Sequence, residues 1–328
     1  IKLMKDTDKI LKQINKLSQK YSATGQDLYS YLEGLLYSDY VGYWNYINLD
    51  TLLTLQNPKT DFPDEKIFII YHQITELYFR LCLLELEQIN KNGRNVIETG
   101  QDLGWKTSLS VNLFIEKLER INRYISHLVQ SFDIMIEGMD KNQFLKFRMA
   151  LLPSSGFQSV QYRMIELRST ELLNLNKSVP PKKTTSTLYN NLYWRAGAID
   201  LANKKKTYTL KQFEKKYDER LLKLTKKMTT KNLLTKYKNL SKKDQKNKKL
   251  INLLREYDSN ININWKLAHY KSAVKYLHKK KAEIAATGGT NWQEYLPPKF
   301  QKIIFFPELW TAQEKKEWGK TWVESTIN

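Results

Sequence analysis

Glycine and proline are scarce in this chain, and that scarcity constrains the fold more than any other feature of the sequence. The 328 residues include 12 glycines and 8 prolines. Folds built from many short strands need frequent tight turns, and these two residues supply most of them. With 41% hydrophobic residues the chain can fill a large core. The sequence therefore predicts an all-α, bundle-like protein, folded as one domain over residues 1–328.

Hydrophobic periodicity and helix-ending residues place the helices along the chain. Asp64 and Glu65 after Pro63 suit a helix N-terminus, and Asp140 with Gln143 resembles a capping box. The predicted helical regions are 6–22, 26–56, 63–92, 108–137, 140–153 and 157–173, then basic helices to 258 and a last helix over 260–281.

The formal charge of +20 is concentrated in one segment. Residues 203–249 contain 18 Lys and Arg and 4 Asp and Glu, so they carry +14 of the total. Leucines and aromatics recur in this segment at helical spacing, which is typical of an amphipathic helix with a solvated basic face. We predict a lysine-rich helical excursion that binds no nucleic acid. The alternative is a non-enzymatic helical protein that binds RNA or DNA.

Several function classes are excluded by composition. The single cysteine, Cys82, cannot form an internal disulfide or a cysteine-based zinc or iron–sulfur site. The longest apolar runs, at 67–70 and 303–306, are too short to span a bilayer. The first residues lack the apolar core of a signal peptide. We therefore expect a soluble, cytoplasmic protein without a membrane partner.

The four histidines limit the possible metal sites. His269 and His278 are nine residues apart, about 900° around a helix, so they point to opposite faces and cannot share a metal. A single histidine ligand remains possible, and a haem needs only one. The small residues Ala268, Ser272 and Ala273 beside His269 would let a flat macrocycle approach the helix. The alternative is a core histidine at a helix crossing.

Two further patterns suit an aromatic substrate and a substrate carboxylate. Phe68, His72 and Glu76 follow at i, i+4 and i+8, which places a ring and an imidazole on one helix stripe. The alternative is a core histidine bonded to Glu76. Phe144 and Arg148 also share a helix face, and an arginine fork suits a carboxylate, although an ordinary surface ion pair is the alternative. The Gly288-Gly289 loop after Thr287 lacks the lysine of a P-loop.

Taken in order, these motifs resemble the tryptophan 2,3-dioxygenase family. The match includes Tyr43-Trp44-Asn45-Tyr46-Ile47-Asn48-Leu49-Asp50, Phe68 to Leu77 with its His72-Gln73-Ile74-Thr75-Glu76-Leu77 run, and Phe147-Arg148. It continues through Pro153-Ser154-Ser155-Gly156-Phe157-Gln158-Ser159, Trp265 with His269, Thr287-Gly288-Gly289-Thr290 and Phe306-Pro307-Glu308-Leu309-Trp310.

The resemblance implies a haem b enzyme that forms a homotetramer. It would insert both atoms of O2 across the C2–C3 bond of the L-tryptophan indole to give N-formylkynurenine. The roles implied are as follows: His269 as the axial iron ligand, His72 as acceptor of the indole N–H, Phe68 and Phe144 as ring walls, Arg148 on the carboxylate, Thr287 on the polar end of the substrate, and Tyr43, Tyr46 and Ile47 as residues that reach the pocket of a neighbouring subunit.

The sequence departs from the family pattern near His269. The family's Trp-Arg-x-Arg-His run is replaced by Trp265-Lys266-Leu267-Ala268-His269, and the spacing from His269 to Thr287 is longer. These differences leave open a related histidine-ligated haem oxygenase that hydroxylates another aromatic amino acid, such as tyrosine. The combination of His72, Phe68 and Arg148 favours tryptophan.

Overall fold

Helices form the regular structure of this chain. A computed structural model describes residues 2–38, 41–93, 109–152, 154, 156–198, 205–277 and 301–319. No strand occurs among these residues, so the all-α prediction is confirmed. The chain divides into two compact units, residues 1–57 and 58–328. Folding as one domain over the whole length stays a prediction.

The described residues of the first unit form four helices. The predicted region 26–56 begins as expected, because Asp27 caps its first helix through the N–H groups of Tyr29 and Ser30. It is interrupted twice, because this helix ends at Tyr37 and Asn48 adopts a left-handed φ of 53° between two short helices. Asparagine tolerates that conformation better than most residues. The helices are α1 (Lys2–Ser22), α2 (Leu28–Tyr37), α3 (Tyr43–Tyr46) and α4 (Leu49–Leu53).

The second unit is organised around α5 (Pro63–Asn90), a helix of 28 residues. Its start is fixed as the sequence predicts, with Pro63 in the first turn. The Glu65 carboxylate accepts hydrogen bonds from the backbone N–H groups of Lys59 and Thr60, both at 2.8 Å. Its end is followed by Gly93, whose φ of +89° is a conformation that glycine adopts at no steric cost.

The other helices that the structure describes in this unit form a bundle with α5. They are α6 (Val111–Ser131), α7 (Asp133–Ile136), α8 (Lys141–Phe147), α9 (Val160–Ser169), α10 (Thr185–Asn190), α11 (Tyr193–Gly197), α12 (Tyr208–Met228), α13 (Leu233–Lys238), α14 (Lys242–Gln245), α15 (Lys248–Ser259), α16 (Trp265–Leu277) and α17 (Ala312–Lys316), with short 3-10 turns at Arg148–Leu151, Gly156–Gln158, Leu172–Leu175 and Pro307–Leu309.

The lysine-rich segment contributes an amphipathic helix, as its pattern predicts. In α12 the apolar residues Phe213, Leu221, Leu224 and Met228 are buried against the core of the unit. The lysines of the same helix are exposed at its surface. The hydrophobic spacing therefore gave the buried face of α12 correctly, and most of the charge stays in solvent.

The predicted helix break between 258 and 260 is wrong. The chain continues from α15 into α16 through a π-turn, Asn260–Asn264, in which the N–H of Trp265 bonds to the carbonyl of Asn260. A π-turn holds one residue more than the α-turn it replaces. The two helices therefore form one continuous rod.

Asp258, just before the π-turn, is completely buried and holds the C-terminal segment in place. Its carboxylate accepts hydrogen bonds from the backbone N–H groups of Phe305 (2.9 Å) and Phe306 (3.1 Å), from Trp310 Nε1 (3.0 Å) and from Asn262 Nδ2 (2.8 Å). Burial raises the pKa of Asp258 to about 6, while the four donors lower it, so the group is ionised at neutral pH. We call these five residues the Asp258 cluster.

Replacing Asp258 with alanine should strongly destabilise the protein. Four donors, three of them buried, would lose their acceptor, and we expect the free energy of unfolding to fall by roughly 3 kcal/mol or more. Urea unfolding followed by circular dichroism measures this loss. The control is Asp61→Ala, which removes an exposed carboxylate and should change the value by less than about 0.5 kcal/mol. Equal losses in both variants would contradict the importance of the cluster.

Candidate active site

Phe68 and His72 lie together on α5, with ring centroids 4.1 Å apart. His72 Nδ1 is 2.7 Å from the backbone carbonyl of Phe68. A carbonyl oxygen can only accept, so Nδ1 must carry the proton and donate it. Desolvation also lowers the pKa of His72, which favours the neutral ring. In the neutral ring with Nδ1 protonated, Nε2 holds a lone pair and can accept a hydrogen bond.

The His72 side chain is exposed to solvent, yet desolvation by the surrounding protein lowers its pKa. His72 is therefore not the core histidine of the alternative prediction, and the Glu76 carboxylate bonds to Gln161. Gln161 Nε2 donates to the Glu76 carboxylate and to its carbonyl, both at 2.8 Å. Glu76 therefore anchors α9 to α5.

His269 on α16 is oriented by the same kind of backbone hydrogen bond. Its Nδ1 lies 3.2 Å from the carbonyl of Trp265, one helical turn earlier, so Nδ1 donates and Nε2 keeps its lone pair. The ring packs against Trp265 (4.3 Å between centroids) and Phe132 (4.6 Å). Burial lowers the pKa of His269 to about 4, which keeps the imidazole neutral at physiological pH.

A series of ring contacts links the two histidines. The His72 ring is 6.4 Å from that of Tyr71, the Tyr71 ring is 5.5 Å from that of Phe132, and the Phe132 ring is 4.6 Å from that of His269. A positive charge on His72 would lower the pKa of His269 further. We call this group of rings, together with Phe68 and Phe144, the aromatic recess.

Phe144 extends the aromatic recess, and Arg148 follows it on the chain. The Phe144 ring is 6.3 Å from Phe68 and 4.6 Å from Tyr276 on α16. Arg148 follows α8 by one residue and its backbone N–H bonds to the carbonyl of Phe144. Arg148 is 5% exposed, and desolvation lowers its pKa, although an arginine stays charged at any physiological pH. A buried guanidinium suits a ligand that has a carboxylate.

The remaining predicted site residues belong to the first unit or lie outside the described residues. Tyr43, Tyr46 and Ile47 belong to the first unit, where they are 72%, 81% and 37% exposed. Thr287, with the Gly288-Gly289 loop and His278, lies outside the described residues. Ring contacts bring together Phe68, His72, Phe144 and His269, and Arg148 contacts Phe144 through its backbone.

Two aromatic residues of the recess were not predicted from the sequence. Tyr276 follows His269 by seven residues, a spacing that places both on one helix face and could have revealed it. Phe132 stands between α6 and α7, where a single long helix was predicted, and no local pattern distinguishes it from a core residue.

The donor chemistry of His269 fits a haem. His269 offers a neutral Nε2, and its Nδ1–H is already bonded to a carbonyl, which is the arrangement that fixes a metal-ligating histidine. The neighbours Ala268 and Ala273 are small and pack into the core. This donor set fits a prosthetic group held by one axial imidazole.

The family comparison agrees with this geometry. The family model described as tryptophan 2,3-dioxygenase matches residues 31–192. This match includes every predicted site residue except His269 and Thr287.

Curated relatives with the same description align over a similar part of the chain. The protein from Ruegeria sp. (strain TM1040) is 36% identical over 148 residues, 44% of this chain and 48% of its own length. That from Nocardioides sp. (strain ATCC BAA-499 / JS614) is 37% identical over 129 residues, 39% of this chain and 45% of its own length. That from Bacillus anthracis is 35% identical over 124 residues, 38% of this chain and 39% of its own length. The chain thus spans about half the length of these relatives or less.

Proposed function

From the relationship of residues 31–192 to the tryptophan 2,3-dioxygenase family, we propose that this protein is a haem-dependent tryptophan 2,3-dioxygenase. The reaction inserts both atoms of O2 across the indole C2–C3 bond of L-tryptophan and gives N-formylkynurenine. The observation that carries the proposal is the pair of neutral imidazoles, His72 and His269, each with a free Nε2 at one aromatic recess. One can bind a metal while the other binds a substrate.

His269 would hold the cofactor, which we propose to be haem b. A neutral imidazole at pH 7 binds iron without first losing a proton, and the depressed pKa of His269 ensures this state. When bound, the haem supplies the activation of O2 and the redox chemistry. The protein's own residues bind and orient the substrate.

Each part of zwitterionic tryptophan has a complementary group. Phe68 and Phe144 provide ring walls for the indole, and His72 Nε2 accepts its N–H. Arg148 offers two parallel N–H groups to the carboxylate. Thr287 is proposed to contact the polar end of the substrate. Together these contacts exclude water and fix the indole in one orientation, which is the main contribution a protein makes to such a reaction.

We also propose that the protein is a homotetramer whose subunits complete each other's sites. The outer face of α5 supports this, because Ile70 (43%), Leu77 (54%), Leu81 (40%) and Leu84 (41%) are exposed on it. Their spacings of seven, four and three residues are those of a helix seam that packs on another helix. By length and hydropathy alone α5 could also cross a bilayer, as core helices often can. The exposed Tyr43 and Tyr46 are proposed to enter the recess of a neighbouring subunit.

The proposed activity predicts a coloured protein with a defined product. Purified protein supplied with hemin should show the absorption spectrum of a histidine-ligated haem. With L-tryptophan, O2 and a reductant it should release N-formylkynurenine, identified by absorbance and by the mass of two added oxygen atoms. His269→Gln should lose the haem spectrum, whereas His127→Gln, which changes an exposed histidine, should keep it.

Other products would contradict the proposal in distinguishable ways. Ring hydroxylation of tyrosine or tryptophan, with one added oxygen, would indicate the related hydroxylase. Failure to bind haem, together with nucleic-acid binding that weakens steeply with salt, would indicate a basic nucleic-acid-binding protein.

Removing the Arg148 fork should weaken substrate binding selectively. In Arg148→Ala we expect the Kd of L-tryptophan to rise roughly 10- to 100-fold, the equivalent of one charged hydrogen-bonded contact. Tryptamine lacks the carboxylate, so its Kd should change little. Spectral titration of the holoprotein measures both values. Lys146→Ala, an exposed change on α8, is the control, and an unchanged Kd for L-tryptophan in Arg148→Ala would remove Arg148 from the site.

Charges on the outer face of α5 should dissociate the tetramer. The double variant Leu77→Glu with Leu81→Glu places two carboxylates in the proposed seam, where burial would be costly. Sedimentation velocity should show four chains for the unchanged protein and fewer for the double variant. Val179→Glu, at an apolar residue that is 61% exposed in a loop, is the control. An unchanged mass in the double variant would exclude this face from the interface.

A further inference from the structure

The π-turn between α15 and α16 decides which residue faces the recess. In an α-helix each residue advances by about 100°, so His269 would lie about 80° away from Ile261, eight residues earlier. The π-turn contains one extra residue, and the same pair then differs by only about 20°. Ile261 is fully buried at the end of the stripe that α15 turns toward the core. The extra residue therefore brings His269 back into line with that stripe.

The ring contacts after the turn show which residue faces the recess. Before the turn, the buried residues Leu250, Leu254 and Tyr257 follow at α-helical spacing, and Ile261 inside the turn continues them. After the turn α16 is buried on several sides, so burial alone does not identify the facing residue. The His269 ring does, because it lies 4.6 Å from the Phe132 ring. In a straight α-helix Ala268, seven residues after Ile261, would occupy the place of His269.

The turn is fastened by side chains on its own residues. Asn262 Nδ2 donates to the Asp258 carboxylate at 2.8 Å, and Asn264 Nδ2 donates to Asn260 Oδ1 at 2.8 Å. The Asp258 carboxylate is itself fixed by the C-terminal segment. These bonds bridge the widened turn, so the extra residue stays between Asp258 and Trp265.

The first turn of α16 adds a second constraint. Lys266 is 8% exposed, and its Nζ lies 5.1 Å from the centre of the Tyr193 ring. The buried carboxylates of Glu166 and Asp258 are close enough to act on its charge. Any rotation of α16 would carry this amine away from both acids. The contact of Lys266 with Tyr193 therefore favours this orientation of the helix.

We propose that the π-turn Asn260–Asn264, held by the Asp258 cluster, is the positioning element that selects His269 as the residue presented to the cofactor. The role of the π-turn in presenting a cofactor ligand rests on the proposed function, whereas its geometry does not. If one residue is removed from the turn, His269 lies seven residues after Ile261 in a straight α-helix. Seven residues of α-helix reach the same face, so His269 should keep its place. One added residue, in contrast, should rotate α16 by about 100° and bring Ala268 to the recess.

Thiol labelling tests, without any cofactor, which residue of α16 faces the recess; we call this the register of α16. Cysteine is introduced singly at positions 268, 269 and 270 (Ala268→Cys, His269→Cys, Tyr270→Cys), and the rates of reaction with a small maleimide are compared. The native Cys82 is fully buried and stays unreactive. The three backgrounds are the natural chain, a deletion of Asn264, and an alanine inserted after Asn264. We expect position 269 to react fastest in the first two backgrounds and position 268 in the third.

Two results would overturn the proposal. One is a natural chain in which position 268 or 270 reacts faster than 269. The other is a deletion that makes position 270 the fastest, which is what a straight helix without an extra residue predicts. An alanine inserted after Lys246, in the exposed turn before α15, is the control and should leave the order unchanged. If the insertion after Asn264 does not fold, the labelling order in the natural chain and in the Asn264 deletion still tests the proposal.

Hemin titration then tests whether the residue that faces the recess is the one that binds haem. The Asn264 deletion should bind hemin within about threefold of the natural chain, whereas the insertion after Asn264 should lose more than about tenfold. Adding Ala268→His to the insertion should restore binding and the histidine-ligated spectrum. Equal losses in deletion and insertion, or no rescue, would overturn the proposal. If the natural chain labels as expected but binds no hemin, the proposed function fails and the register stands.

Discussion

Burial of the Asp258 carboxylate is the constraint on which the larger unit depends. A charged group inside a core is tolerated only if donors replace the water it loses. Three of its four donors come from the segment 305–310, more than forty residues later in the chain. The C-terminal segment must therefore lie against the end of α15, and the helix that follows starts from a fixed point. The position of α16, and of His269 on it, therefore depends on this buried charge.

The same contact with the helix backbone orients both histidines of the recess. In both α5 and α16 a histidine donates from Nδ1 to the carbonyl one turn earlier, so the helix backbone itself selects the tautomer. No separate carboxylate is needed to orient either ring. Desolvation by the aromatic walls then keeps both imidazoles neutral, which leaves two acceptor nitrogens in an apolar space. Such a space favours a flat, mostly apolar ligand with few polar groups.

Much of this arrangement could be predicted from the sequence, because it depends on local periodicity. The all-α class, the start of α5 and the pairing of Phe68 with His72 follow from spacings of three and four residues. The capping role of Asp140 was also predicted correctly, since its carboxylate accepts from the N–H of Gln143. Gln143 does not complete the box, however. Its side chain accepts instead from the N–H of Asp64 on α5, a contact between distant residues that no local pattern contains.

The π-turn was missed for a related physical reason. The run Asn260-Ile261-Asn262-Ile263-Asn264 has no feature that distinguishes a widened turn from an ordinary helix or a break, because tertiary contacts stabilise the widening. This has a consequence for the comparison of relatives. A homologue with one residue fewer between Asp258 and His269 would carry its histidine at an equivalent place in space. A single-residue gap in an alignment of this segment would therefore mark conserved architecture, whereas a gapless alignment could pair residues on different faces of the helix.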